Sequence, residues 1–271
     1  MKLKPRKKGS HKGQNGKVLI IGGSEDYVGA PAFVGLAAMA VIRAGADLVT
    51  IIAPEKVAWA INCIAPDLMT KKVKCRNFTV KQVSEVLKEA KTVDVVVIGN
   101  GIAFTPGAKQ FMQKIIRQFV KQNKKLVIDA AALRGVKLQE VSNAVLLPHG
   151  GELTELLKNS KLTEKKIQRN LGSNVLVKKG YPKTVILSKT KKAINTTGNA
   201  GMTHGGTGDV LAGIIAGLIA QGNDLFISAK IGCYVNGKSA DNLFKKQGLG
   251  YVANDLVSEI PFVLKKFQKI K

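Results

Sequence analysis

The chain has 271 residues, 45% hydrophobic and 23% charged, proportions that exclude a mainly disordered polypeptide and allow one large domain or two small ones. Lys and Arg number 43 against 18 Asp and Glu, a formal net charge of +25, but seven of the basic residues lie in 1–17 and four in 265–271, with no acid in either stretch. Aromatics are 5% and nowhere interleave with cations as an RNA-binding sheet requires, so a solvated basic surface is favoured over specific nucleic-acid binding.

From Lys17 onward, short β-branched runs alternate with longer amphipathic stretches, the pattern of an α/β fold. Lys17–Ile21 reads as a buried strand running into Gly22-Gly23-Ser24, followed by a helix over Pro31–Ala44 stopped by Gly45. Leu48–Ile52 is the next strand; Pro54–Ile64 and Val80–Ala90 read as helices. Val93–Ile98 is a strand ending in Gly99-Asn100-Gly101, then Pro106–Gln122 a helix and Leu126–Ile128 a strand closed by Asp129. Ala144–Leu147 (strand), Gly151–Leu157 (helix) and the strands Asn174–Val177, Thr184–Leu187 and Lys192–Asn195 follow. Thr207–Ala220, Asp224–Phe244 and Asn254–Lys266 are helices. The apolar stretches Tyr27–Ile42 and Val210–Ala220 fall short of the roughly 20 residues that span a bilayer. With no apolar region behind the basic N-terminus and no disulfide or zinc spacing among Cys63, Cys75 and Cys233, a soluble protein in a reducing, cytoplasmic setting is expected. No linker or repeat divides the chain, so a basic segment, 1–16, precedes a single domain, 17–271.

The richest motif is Asn195-Thr-Thr-Gly-Asn-Ala-Gly-Met-Thr-His-Gly205-Gly206-Thr207-Gly208-Asp209, leading directly into a helix. Glycines let successive amides converge at the helix N-terminus, where the dipole favours a phosphate, and Asp209 stands in the first turn beside that anion hole. Taken alone, Asp209 could equally be an acid that complements the dipole; three preceding glycines favour the functional reading. Gly232–Ser239 matches G-x-x-x-x-G-K-[ST] in letters but lies within the Asp224–Phe244 helical stretch and not between a strand and a helix, and Ile21–Gly29 does not give G-x-G-x-x-G, so neither a P-loop protein nor a dinucleotide-binding dehydrogenase is supported. Three further places are open between a structural and a functional role. His149 and Glu152 at a strand-to-helix junction either cap the helix or meet a substrate. Lys178–Thr184 is either a polar hairpin turn or a phosphate contact, and Asp129 either caps a turn or coordinates Mg²⁺ through water.

Together these residues resemble the NAD(P)H-hydrate dehydratases, a branch of the ribokinase-like superfamily, from about Lys17 to Pro261. The matching pieces are His11-Lys12-Gly13 with Gly16-Lys17-Val18, Ile21–Ser24, Gly29-Ala30, Arg43–Gly45, Gly99-Asn100-Gly101, Pro148-His149 with Glu152, Lys179-Gly180, and Thr197 through Asp209. The resemblance implies a ribokinase-like three-layer α/β sandwich, a mainly parallel central sheet with helices on both faces and no lid domain. It implies dehydration of the hydrates NADHX and NADPHX at the expense of a nucleotide, typically ADP converted to AMP and phosphate in bacterial and archaeal relatives and ATP in eukaryotic ones, with Mg²⁺. On this resemblance Asp209 is the general base; Ala30, Gly101, His149 and Asp209 line the hydrate site; and Lys179, Gly180, Lys183, Thr184, Gly205, Gly206, Thr207 and Gly208 contact the nucleotide. No resident metal ligand is assigned. A separate hydrate epimerase is the implied functional partner, and a homo-oligomer, a tetramer or larger, the implied assembly, with no membrane partner.

Four places depart from the family pattern: Ala131 stands where a second acid is usual, His149-Gly150 and Asn100 each replace a proline-bearing version of their motifs, and the Lys179–Thr184 loop is one residue longer. The competing enzyme reading is a small-molecule kinase of the same superfamily acting on a vitamin precursor or sugar; Pro148-His149, Glu152 and Gly29-Ala30 favour the dehydratase. A basic RNA-associated protein without activity ranks below both, because it has no need for an acid beside an anion hole.

Overall fold

The central strands are short β-branched runs that bury both faces, so each feeds two cores at once. In a computed structural model that describes residues 2–27 and 29–271, the elements run β1 (Lys17–Ile21), α1 (Ala30–Arg43), β2 (Leu48–Pro54), α2 (Glu55–Ile64), β3 (Met69–Val73), α3 (Val83–Glu89), β4 (Val95–Ile98), α4 (Pro106–Lys121) and β5 (Lys125–Ile128). They continue as β6 (Ala144–Leu146), α5 (Gly150–Ser160), α6 (Glu164–Ile167), β7 (Val175–Lys178), β8 (Thr184–Ser188), β9 (Lys192–Asn195), α7 (Thr207–Ala220), α8 (Leu225–Gln247) and α9 (Ala253–Leu264). Val28, part of the loop after β1 considered above, lies outside the described residues.

All nine strands form one sheet in the order β3-β2-β1-β4-β5-β6-β7-β8-β9. The pairings from β3 through β7 are parallel; β8 and β9 close the edge as an antiparallel meander. Val18 and Ile20 face a core made with α1, α2, α7 and α8, while Leu19 and Ile21 face a second core made with α3, α4 and α5. A third apolar cluster seats α9 on α1, α7 and α8. The close approach of α7 to α1 depends on Gly213: a Cβ there would lie 2.1 Å from Ala37 O. Among the described residues no helix is long and apolar enough to cross a membrane, and Cys63, Cys75 and Cys233 are free thiols.

The strand order reverses between β1 and β4, so the carboxyl ends of these two strands flank the switch point where doubly wound sheets bind ligands. Gly23 N donates to Asn100 O across that gap at 2.9 Å. The basic segment ahead of β1 lies along the body of the protein. Arg6 N donates to Lys269 O and Lys271 N to Arg6 O, both at 2.8 Å, and Lys4 N donates to Asn223 Oδ1 at 2.8 Å.

Most element boundaries match the sequence pattern within one to three residues. Strand β3 does not: Met69-Thr-Lys-Lys-Val73 carries two lysines and is an edge strand, where charge guards against unwanted pairing and erases the apolar signal. The stretch read as one helix over Val80–Ala90 starts instead with a tight 3₁₀ turn, Val80–Gln82, capped reciprocally by Thr79 and Gln82, before α3 begins.

Candidate active site

Helix α7 enters the site through Gly206, whose φ of 94° is left-handed and strained for any side chain. Thr207 Oγ1 donates to Met202 O at 3.1 Å and pins the preceding loop. The first-turn amides of α7 have no intrahelical acceptor and face the mouth of the site with the positive end of the helix dipole. Asp209 sits among them. Its Oδ1 accepts a hydrogen bond from Asn100 Nδ2 at 2.7 Å. Burial, reinforced by the negative charge of Asp129, pushes the Asp209 carboxyl up to about 7, against the opposing pull of the Asn100 hydrogen bond and the Lys179 cation. A base that titrates near neutrality is suited to take and release a proton.

Asp129, at the end of β5, is 3% exposed. It caps the next turn by accepting from Ala130 N at 2.9 Å, and it accepts from Lys179 Nζ at 2.7 Å. Of its two sequence readings, the structure carries out the capping role and adds an ion pair that no local pattern announced. Burial pulls the Lys179 ammonium down, yet Asp129 and then Glu152 outweigh it and hold its pKa above the ordinary value. Glu152 likewise turns out to be a capping acid: its Oε2 accepts from His149 N at 2.9 Å, while His149 Nδ1 accepts from Gly151 N at 3.1 Å. Burial raises the Glu152 pKa against the pull of Lys179. The His149 ring stays largely exposed, 62%, with Nε2 at 3.3 Å from Glu152 Oε1.

Two cavities meet at this wall. One, of about 350 Å³, lies toward the antiparallel edge and is lined by Lys179, Gly180, Tyr181, Thr184, Asn195, Cys233, Asn236, Thr207 and Gly208. The other, of about 500 Å³, lies over the switch point and is lined by Tyr27, Phe33, Gly101, Phe104, Ala131, Arg134, Glu152, Gly205, Gly206 and Asp209. His149 borders both. The N-terminus of α7 is the partition: Thr207 and Gly208 look into the first, Gly205, Gly206 and Asp209 into the second.

The residues expected at the site are therefore mostly gathered, though divided differently. Lys179, Gly180, Thr184, Thr207 and Gly208 share one cavity, and Gly101, His149 and Asp209 share the other. Gly205 and Gly206, expected with the nucleotide, border the second cavity. Ala30 is fully buried and packs against Gly101 beneath the surface. Lys183 is exposed and borders neither cavity. Asn195, which opens the glycine-rich motif, and Asn236, Phe33, Phe104 and Arg134 carried no assigned role in the sequence but line the two cavities. Arg134 stacks over Phe104 at 4.3 Å and pairs with Glu155 at 2.9 Å, and Asn236 Nδ2 donates to Thr207 O at 3.3 Å. The buried polar Asn236 within a small-residue stretch of α8 was the one signal available. Among the described residues no group of three or more His, Cys, Asp or Glu could hold a metal ion.

The family model for NAD(P)H-hydrate dehydratase matches residues 18–262. The chain is 39% identical over 269 residues to the bifunctional NAD(P)H-hydrate repair enzyme Nnr of Methanocaldococcus jannaschii, covering 98% of this chain and 51% of that protein. It thus spans about half the length of the bifunctional relatives it matches. It is also 31% identical to the ADP-dependent (S)-NAD(P)H-hydrate dehydratase of Cenarchaeum symbiosum, covering 98% of this chain and 94% of that one. Among solved structures, a ribokinase-like superfamily protein from Enterococcus faecalis superposes with a TM-score of 0.81 at 28% identity, covering 98% and 93% of the two chains. The fold is thus the ribokinase-like α/β sandwich, and the chain belongs to the NAD(P)H-hydrate dehydratase family.

Proposed function

We propose that the protein dehydrates NADHX and NADPHX back to the reduced cofactor, coupled to conversion of ADP to AMP and phosphate. The observation that carries this reading is the shared wall: one acid and one row of helix-terminal amides stand between two cavities, as phosphoryl transfer between two bound molecules requires. ADP is named as co-substrate because the relative matched along nearly its whole length bears that dependence in its name.

The nucleotide occupies the cavity beside Lys179, with its terminal phosphate against the amides of Thr207 and Gly208 and its adenine toward Asn195 and Asn236. The hydrated nicotinamide occupies the cavity over the switch point, its ring hydroxyl at Asp209. Asp209 takes the hydroxyl proton as the oxygen attacks the terminal phosphorus; the bond to the AMP oxygen breaks and AMP leaves. Helix-terminal amides stabilise the charge on the phosphoryl group in flight. The ring nitrogen then expels phosphate with the C–O electron pair, and loss of a proton from the neighbouring carbon restores the double bond. Mg²⁺ commonly keeps its waters and rides on phosphate oxygens when protein carboxylates are few. With Asp129 tied to Lys179, the ion would arrive with the nucleotide, and no step is assigned to it. The other half of the bifunctional relatives points to a hydrate epimerase as functional partner, and we place the reaction in the cytoplasm with the reduced cofactor pool.

The test is to mix the protein with chemically hydrated NADPH, Mg²⁺ and either ADP or ATP and to follow the near-ultraviolet absorbance of reduced nicotinamide. A nucleotide-dependent rise with one AMP and one phosphate per NADPH supports the proposal and identifies the donor. No rise with either nucleotide, with ATP consumed on adding a hydroxylated vitamin precursor, would replace it with a kinase.

A further inference from the structure

Asn100 lies two residues past the end of β4 at the switch point and is fully buried. Its backbone carbonyl is held by Gly23 N, and its Nδ2 donates to Asp209 Oδ1 at 2.7 Å. Its Oδ1 is buried with no hydrogen-bond partner, a costly state for a carbonyl oxygen. A residue present only to fill space could be apolar. The two ends of the amide instead match the two states of the acid beside it. An ionised carboxylate only accepts, and Nδ2 donates to it; a protonated carboxyl has an O–H to give, and Oδ1 accepts it once the amide turns over.

Resting on the reading of Asp209 as general base, we propose that Asn100 is the positioning residue of that base, its amide holding Asp209 in one rotamer both before and after it takes the substrate proton. The proton moves from the ring hydroxyl to an Asp209 oxygen, and Asn100 exchanges none. The charged and titratable groups around Asp209 are Asp129 from the end of β5 and Lys179 from just past β7, with His149 and Glu152 from the start of α5, Tyr27 from the loop before α1 and the Arg134–Glu155 pair lining the same cavity. Among the described residues, Asn100 is the side chain seen donating a hydrogen bond to the Asp209 carboxylate. It therefore keeps the base ionised at a lower pH than burial and Asp129 would permit.

The experiment is the pH profile of kcat/KM for Asn100→Leu, which keeps the side-chain shape without hydrogen bonds, and for Asn100→Asp, which keeps the shape and replaces the donor with an acid. The acid limb is expected to move up by roughly one pH unit in Asn100→Leu and further in Asn100→Asp, where like charges repel. The KM for nucleotide is expected to stay within about twofold, and Asn100→Ser, with a shorter donor and acceptor, to recover part of the loss. Titration of the Asp209 carboxyl by carbon NMR in aspartate-labelled protein, assigned with Asp209→Asn, reads the same displacement without turnover. An unmoved limb and an unmoved Asp209 titration in either folded variant would overturn the proposal. Absence of turnover in the parent protein would count against the dehydratase reading, while the NMR titration would still decide the pairing of Asn100 with Asp209.

Discussion

The two cavities share a wall but are built on different principles. The one over the switch point rests on the ends of parallel strands, where Asp209, held by Asn100, shares the wall with Glu152 and the Arg134–Glu155 pair. The other rests on the β7–β8 connection, the loop after β9 and one face of α8, where Lys179 is set among neutral amides and apolar groups. In the proposed reading, chemistry is concentrated around the buried acid, and nucleotide recognition is spread over loops and a helix face. Substitutions should therefore separate turnover from nucleotide affinity.

The largest effect is expected from Asp209→Asn, which should lower kcat by about a thousandfold while leaving nucleotide affinity, read by calorimetry, nearly unchanged. The same change should raise the melting temperature at pH 8. The folded Asp209 carboxyl titrates at about 7, above its ordinary value, so its ionisation opposes folding. That penalty is complete above pH 7 and fades as pH falls toward the unfolded carboxyl's value, and the gain in Asp209→Asn should fade with it. A lower melting temperature at pH 8 would break the contrast between the acid-bearing cavity and its neighbour.

Lys179→Met comes next. It strips the partner from Asp129, which is 3% exposed, and a buried charge left alone costs about 3–5 kcal/mol. Urea unfolding should show that loss, and a Lys179→Met, Asp129→Asn double variant should recover much of it. Asn236→Ala should then raise the KM for nucleotide about tenfold, one lost hydrogen bond's worth, and leave the KM for the hydrate unchanged. Parallel rises in both would show that the wall does not separate the two sites. Lys183→Ala, in the same connection as Lys179 but outside both cavities, should change kcat and both KM values by less than about twofold.

The parts of the molecule legible in the sequence are those whose signals are local. Lys17–Ile21 and Thr207–Ala220 match their elements residue for residue, because an unbroken apolar run and a glycine-to-helix junction need no tertiary partner to be recognised. The glycine tract leading into α7 and the acid in its first turn were legible for the same reason. Strand β3 was not, since edge position replaces apolar residues with Lys71 and Lys72. The contact between Asn100 and Asp209 spans 109 positions, and the one between Lys179 and Asp129 spans 50; only the sheet order brings them together. Asn195 and Asn236 look like ordinary polar residues until β9 and α8 are folded beside α7.

The most direct measurement follows an oxygen atom across the wall. NADPHX prepared by hydration in heavy-oxygen water carries the label in its ring hydroxyl; turned over with ADP in ordinary water, it should yield inorganic phosphate carrying one labelled oxygen for every NADPH formed, because the hydroxyl in one cavity attacks the phosphorus in the other. Unlabelled phosphate, with the label released to solvent, would mean that water and not the substrate meets the nucleotide, and would contradict transfer between the two cavities.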